Sequence, residues 1–490
     1  MTSPVGLEQA VRLTAARHPD KTAVRTTDGT ALTYRELLYL GDRLAGGLRA
    51  RGVQPGSTVA FVLRNSAEYV GLILAVARLG ARYVPLLSNF DGTDVRRALE
   101  LACPQLLVTD GHRVVDAADV PSVPLAELAR SAPIDPRTRQ PDPAAEFRML
   151  WTSGSTGFPK AMTWRQDKFV RERHRWIRDT GIQEDDVFFC RHSLDVAHAT
   201  DLHVFAALLS GAELVLADPG SAPGRLLTQL EQVRATVTSA LPQHYADLAE
   251  AARARTGRVD LSRLRRPLCG GAYLSPEEVR AGEQALGVRI RQIYGSTEFG
   301  LALGNMTDTV QDRAGMVAVE GVGVRVEPLY DADPGIGELV LVSDCTSEGY
   351  LGSPEANART FRGTEFWTGD IARRSPDGSY RILGRVTEAL AASGGPLPAP
   401  LLEAELTLLP EVGTAVCLAV HPGGYRNDVF VLLQTDDESR QPQALAAVAA
   451  VLTAHGLNGT TRFVTELPRT PVGKIDKALL RREWQLDGAR

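Results

Sequence analysis

Two hydrophobic periods take turns along roughly the first 145 residues. Apolar positions recur with helical spacing over Gly6–Arg17, in the stretch opened by Leu32–Leu37 (LTYREL), and over Ser66–Leu79, which predicts three helices. Between them stand short continuous apolar runs, Gly56–Leu63 (GSTVAFVL) and Arg82–Leu86 (RYVPL), with the content of buried strands. Such alternation predicts a parallel sheet covered by helices. Asp110–Pro143, rich in Pro, Ala and Asp, reads as loop and leads into Phe147–Trp151 (FRMLW), a short buried strand. Further on, a charged helix is predicted over Gln166–Thr180 and a strand over Asp186–Cys190. Beyond residue 385 the pattern gives a helix at Leu401–Leu408, strands at Gly413–His421 and Asp428–Thr435, and a helix at Gln443–His455, a small α/β unit.

The bulk numbers narrow the class. At 490 residues, with 44% apolar and 23% charged content, the chain is ordinary globular material for more than one domain. A net charge of −5 argues against nucleic acid as the main partner. The most apolar run, Tyr69–Leu87, is interrupted by Arg78, Arg82 and Pro85, so it reads as a core helix entering a strand and not as a membrane span. MTSPVGLEQA lacks the charged start and apolar core of a signal peptide. Cys103, Cys190, Cys269, Cys345 and Cys417 are scattered with no CxxC pair. That favours neither a metal centre nor a disulfide frame and makes a reducing cytoplasm the expectation. Among 54 basic residues only Lys21, Lys160, Lys168, Lys474 and Lys477 are lysines, and two of them fall inside motifs.

The first motif is Trp151–Met162, WTSGSTGFPKAM. Thr152, Ser153, Ser155 and Thr156 supply hydroxyl donors, Gly154 and Gly157 let backbone N–H groups turn toward an anion, and Lys160 adds a mobile positive charge. A Gly/Ser run alone is more often a plain turn, but strand, glycine loop and lysine in that order form a phosphate cradle. It is not the GxxxxGK[ST] loop. The second motif, Gln292–Gly300 (QIYGSTEFG), ends a strand in an aromatic, turns at Gly295, and follows with Ser296, Thr297 and Glu298. A flat ring offers a stacking face, a hydroxyl can donate to phosphate, and a carboxylate is a hard ligand suited to Mg²⁺. GYLGSPE, FWTGD (Phe366–Asp370), an Asp-Gly hairpin at Ser375–Ser379, YRILGR with Ile382 and Arg385, and the terminal LPRTPVGKIDKALLR with Lys474 follow.

In this order the motifs resemble those of the adenylate-forming superfamily: acyl-CoA synthetases, adenylation domains of non-ribosomal peptide synthetases, aryl-acid ligases and firefly luciferase. The resemblance runs from LTYREL to GKIDKALLR. It implies an α/β fold: a large N-terminal domain, residues 1–385, of helix-covered sheets plus a β-rich subdomain, and a small mobile C-terminal α/β domain, 386–490, carrying a catalytic lysine. It implies ATP and Mg²⁺. Thr152 to Gly157 and Lys160 would take the outer phosphates, and Gly270, Gly271 and Ala272 would pass beside adenine, with Tyr294 stacking on it. Gly295, Ser296, Ile382 and Arg385 would complete the nucleotide site, with Asp370 on the ribose. Thr297 would touch the α-phosphate, Glu298 would hold Mg²⁺, and Lys474 would bridge acid and α-phosphate. The acid pocket would involve His198, Ala199, Leu202, Cys269, Ile293, Leu301 and Ala302, with further wall from Ser239–His244.

Three departures matter. His198 stands near the place where amino-acid-activating relatives carry an Asp, which weakens an α-amino-acid reading unless Asp195 or Asp201 substitutes for it. His192, His198 and His203 are too irregularly spaced to read as a metal site. Ala272 replaces an acid in the family's GGExL loop, a change that a backbone contact tolerates. Thr387 and Ala391 occupy the hinge and lysine positions of the segment that normally serves the thiol acceptor. The expected reaction is acid plus Mg·ATP giving acyl-AMP and pyrophosphate, then transfer to a carrier-protein phosphopantetheine or CoA supplied in trans, in secondary metabolism. Transfer to an amine, activation of inorganic nitrite, and an inactive ATP-binding regulatory homologue stay open as alternatives.

Overall fold

The computed structural model describes residues 4–117, 120–135, 137–152, 158–272, 276–307, 315–329, 335–420, 427–435, 438–469, 475–484 and 486. Ser153–Gly157 and Lys474 lie outside these.

The expected helices form where their caps place them. Thr33 opens Tyr34–Ala50 with a capping box: the Glu36 amide donates to Thr33 Oγ1 at 3.2 Å and the Thr33 amide to Glu36 Oε2 at 2.8 Å. Ser66 caps Ala67–Arg78 by accepting from the Tyr69 amide at 3.1 Å. Gln166–Thr180 is helical over the expected span and stops at Gly181, whose φ of +62° suits a residue without Cβ.

Among the described residues the strands form five sheets. A six-stranded sheet runs in the order Ser122–Pro124, Leu106–Thr109, Thr58–Val62, Arg82–Pro85, Glu146–Thr152, Lys160–Arg165, parallel except for the last pair. A nine-stranded sheet has a parallel centre of Thr22–Thr26, Glu213–Leu216, Val187–Cys190, Val237–Ala240, Arg266–Cys269 and Arg291–Ser296. An antiparallel sheet built on Gly323–Pro328, Ile336–Val342, Glu365–Arg374 and Tyr380–Arg385 supplies the β-rich part. After it come the hairpin Ala389–Ala392/Gly395–Pro398 and the three-stranded sheet of Thr414–Ala419, Asp428–Gln434 and Asn458–Val464. Apolar residues up to Ile382 pack together in four clusters, and those from Leu390 onward in two others. No helix among the described residues is long and apolar enough to cross a membrane.

One expectation needs correction. The segment read as loop, Asp110–Pro143, contains the strand Ser122–Pro124 and the short helix Leu125–Leu128. Val123, Leu125 and Leu128 are buried there, but elements this short carry too few apolar repeats to show a period.

Parallel strands gather their C-terminal ends along one edge, where ligands bind in open α/β sheets. His192, Ser239, Gly270 and Tyr294 all sit at or just beyond such ends in the nine-stranded sheet.

Candidate active site

The strands on either side of the expected phosphate loop pair with each other. Glu146–Thr152 enters it almost wholly buried, Lys160–Arg165 leaves it antiparallel, and Thr152 pairs with Lys160 across the opening. The far foot of the loop is fixed by aromatics: Phe158 lies 5.5 Å from both Phe90 and Trp151, and the Trp151 indole donates to Pro85 O at 2.7 Å. Lys160 is exposed, its ammonium 4.7 Å above the Tyr350 ring, and it makes no ion pair among the described residues. Lys21, Lys168 and Lys477, by contrast, all bind protein oxygens.

Tyr350 joins this motif to the next, its hydroxyl donating to Glu298 Oε1 at 2.8 Å. Burial, with the Glu298 charge beside it, pushes the Tyr350 phenol well above its ordinary value and keeps it a donor. Glu298 and Thr297 sit in the turn between Arg291–Ser296 and Gly300–Gly304, half-buried. Trp164 donates to Thr297 O at 2.8 Å, and the Ser347 amide donates to Glu298 O at 2.9 Å. Gly295 is required by packing, since a Cβ there would collide with Gly300 O. Gly295→Ala is expected to splay this hairpin and lower kcat/KM by about tenfold or more through misplacement of Thr297 and Glu298, read from pyrophosphate release.

Tyr294 and Asp370 meet directly: the phenol donates to Asp370 Oδ2 at 2.5 Å. Asp370 also pairs with Arg385 across two antiparallel strands, Arg385 Nε lying 2.9 Å from Asp370 Oδ1. Ile382 is half-buried on the same strand as Arg385. Gly270 is buried where a Cβ would stand 2.7 Å from Ile293 O, so its strand end lies against the strand that carries Tyr294. Gly271, at φ +86°, and Ala272 are exposed beyond it, and Ser296 is half-buried beyond Tyr294.

The segment expected to line the acid pocket is helical. Ala197–Ala199 continues as a π-helical turn, Thr200–Val204, and then as the helix Phe205–Ser210. The rings of His192, His198, His203 and His244 cluster, with centroids 4.4 Å apart for His192–His198 and 5.2 Å for His192–His244. Three of them hold Ser239. Its N–H donates to His203 Nε2 at 3.0 Å, its O accepts from His192 Nε2 at 3.0 Å, and its hydroxyl is hydrogen-bonded to His198 Nε2 at 3.0 Å. His203, accepting at Nε2, is therefore neutral and turns Nδ1–H toward His198 O at 3.3 Å. Burial, then the neighbouring imidazoles, lowers His203 to about 3 and His192 well below its ordinary value.

These depressed values fix a pH dependence. Below about 6.5 the unfolded chain protonates these histidines while the folded chain does not, so stability is full above that pH and falls as pH drops toward 3. The expected loss is about 1.4 kcal/mol per pH unit for each histidine. Urea midpoints from pH 7 to 4 check it, and His203→Gln should make the fall shallower by one proton.

Ala199, Leu202, Ile293 and Leu301 belong to one buried cluster. Cys269 packs instead with Phe189 and Tyr245, and Ala302 with Phe299 and Met316. Adjacent strand residues point to opposite faces, which separates Ala302 from Leu301. Asp201 does not replace the missing acid at position 198. It lies in a bidentate pair with the fully buried Arg148, whose Nη2 donates to Asp201 Oδ2 at 3.0 Å. Asp195 accepts from the Ser88 amide at 3.0 Å. Sequence reading missed the Arg148–Asp201 pair, though a lone Arg inside the apolar FRMLW strand was a signal that a buried counter-charge must exist.

Helix-covered sheets with Lys160 above Tyr350 and Tyr294 against Asp370 fit the adenylate-forming class that the motifs resemble. The AMP-binding enzyme family model matches residues 11–351, and the chain belongs to that family. It is 30% identical to a feruloyl-CoA synthase of Amycolatopsis sp, over 96% of this chain and 97% of that one. It is 29% identical to a salicylyl-CoA synthase / salicylate adenylyltransferase of Streptomyces sp, over 94% and 90%. The fold matches the crystal structure of an anthranilate CoA ligase in complex with anthranoyl-AMP, with a TM-score of 0.85 and 22% identity, covering 99% of this chain and 98% of that one. The protein is an AMP-forming ligase that activates an acid with ATP as its acyl-adenylate and passes the acyl group to a thiol.

Proposed function

We propose that the thiol is that of CoA or a carrier-protein phosphopantetheine, and that the acid is small and bears a hydrogen-bonding substituent. Apolar Leu202, Ile293 and Leu301 are offered to its body, and His198 with Ser239 to its polar group. An imidazole and a hydroxyl both form hydrogen bonds, which suits a hydroxyl or amine on the substrate.

The same reading assigns the nucleotide. Thr152, Ser153–Gly157 and Lys160 take the outer phosphates, Tyr294 and Gly270–Ala272 the adenine, Asp370 with Arg385 and Ile382 the ribose, and Thr297 the α-phosphate. The observation that carries this is the contact chain Lys160–Tyr350–Glu298, which joins motifs far apart in sequence around one uncommitted ammonium. Glu298 fits Mg²⁺, because among the described residues its carboxylate is engaged only through Oε1. Bound Mg²⁺ would neutralise phosphate charge. The substrate carboxylate is ionised at neutral pH and needs no base, so the protein's part is placement and charge stabilisation. Residues 386–490 act as the lobe that brings Lys474 to the α-phosphate. ATP–pyrophosphate exchange over hydroxy- and amino-substituted acids and their unsubstituted parents tests the assignment, followed by thioester formation with CoA or a phosphopantetheinylated carrier. Equal exchange with substituted and bare acids would exclude the role given to His198 and Ser239.

A further inference from the structure

We infer that Lys477 is a positioning residue: its ammonium ties the segment just after Arg385 to the base of the loop that carries Lys474, so that the two move as one piece. The inference rests on the reading that Lys474 acts at the α-phosphate.

Lys477 begins the helix Lys477–Glu483, three residues after Lys474. Its Nζ lies 2.8 Å from Glu403 Oε1 and 3.5 Å from Glu388 Oε2. Burial works against the ammonium, but the two carboxylates outweigh it and hold the lysine above its ordinary pKa. Glu403, on the helix Ala399–Thr407, is itself fixed by the Cys417 amide at 2.8 Å. Glu388 ends the turn Val386–Glu388 that leads into the hairpin bearing Ala391. One cation therefore joins three elements.

The base of the lysine loop is held from the other side too. Arg469 and Ile475 pair as an antiparallel bridge, the Asp476 amide donates to Pro468 O at 2.8 Å, and Asp476 caps the helix through the Leu479 amide at 2.9 Å. Upstream, Arg385 is bound to Asp370 on the large lobe. Val386 and Thr387 are all that separates the anchor on Asp370 from the anchor on Lys477. The ion-paired unit of Glu388, Glu403 and Lys477 thus begins two residues beyond the Arg385–Asp370 pair.

The test separates the two half-reactions. Pyrophosphate release is measured from ATP and acid, and thioester formation from supplied acyl-adenylate and thiol, alongside thermal melting. Lys477→Met should lower kcat for pyrophosphate release by about 10–100-fold with KM for ATP within about twofold of wild type, because placement and not nucleotide binding is lost. Lys477→Arg should restore most of it. Glu388→Gln, which frees only the hinge side, should slow the thioester step more than adenylation. If Lys477→Met folds and runs both half-reactions at the normal rate, or if all losses track the fraction unfolded, the inference is overturned. Should Lys477→Met not fold, Glu388→Gln decides: unchanged rates in both half-reactions overturn it. Normal pyrophosphate release by Lys474→Ala would instead overturn the underlying assignment of that lysine, a distinguishable result.

Discussion

Lys474→Ala is expected to lower pyrophosphate release from ATP and acid by about 10²–10³-fold, the usual cost of removing one group that stabilises charge developing in a transition state. ATP binding, measured by fluorescence or calorimetry without acid, should be almost unchanged, because the cradle around Lys160 and the Tyr294–Asp370 pair lie on the other lobe. Thioester formation from supplied acyl-adenylate should also survive, since that step does not use the α-phosphate contact. A variant that lost ATP affinity and kept its turnover would place Lys474 in nucleotide binding alone. Lys160→Ala should show the complementary pattern, with KM for ATP raised and the later step intact.

The second large effect is structural. Arg148 is fully buried, held in a bidentate pair with Asp201 and stacked 4.1 Å from the Phe169 ring. Arg173 adds a hydrogen bond to Asp201 O at 3.0 Å. Asp201→Asn leaves a guanidinium buried without its counter-charge, and the unfolding free energy should fall by about 3–5 kcal/mol. Arg148→Met/Asp201→Leu, which removes both charges and keeps volume, should recover most of that loss. Denaturation midpoints for the three proteins check the pair. Equal stability of Asp201→Asn and wild type would mean that water, and not Asp201, compensates Arg148. Arg148 lies on the strand Glu146–Thr152 and Asp201 on the π-helical turn Thr200–Val204, so the pair ties these two elements together.

The parts legible beforehand were those written in local signals. Thr33 with Glu36, Ser66 and Gly181 mark helix ends through hydrogen bonds within a few residues, so the sequence shows them. The Asp-Gly turn at Ser375–Ser379 is present as expected, with Ser375 N donating to Ser379 O at 2.8 Å. The motifs themselves could be picked out because each is contiguous in sequence. What was hidden depends on meetings across the chain. Tyr350 reaching Glu298, three histidines closing on Ser239, and Arg148 finding Asp201 are contacts between segments that no local period connects. That Cys269 and Ala302 pack in other apolar clusters than Ile293 and Leu301 likewise depends on which face of a strand each residue takes.

The most direct measurement is a crystal structure with a non-hydrolysable acyl-sulfamoyl adenosine bound. The account predicts adenine against Tyr294 and Gly271, ribose hydroxyls on Asp370, the sulfamoyl group beside Thr297 and Lys474, and the acyl group pointing toward His198 and Ser239. Occupation of another cleft, with the Asp370 carboxylate away from any ribose and with Lys474 remote from the sulfamoyl group, would contradict it.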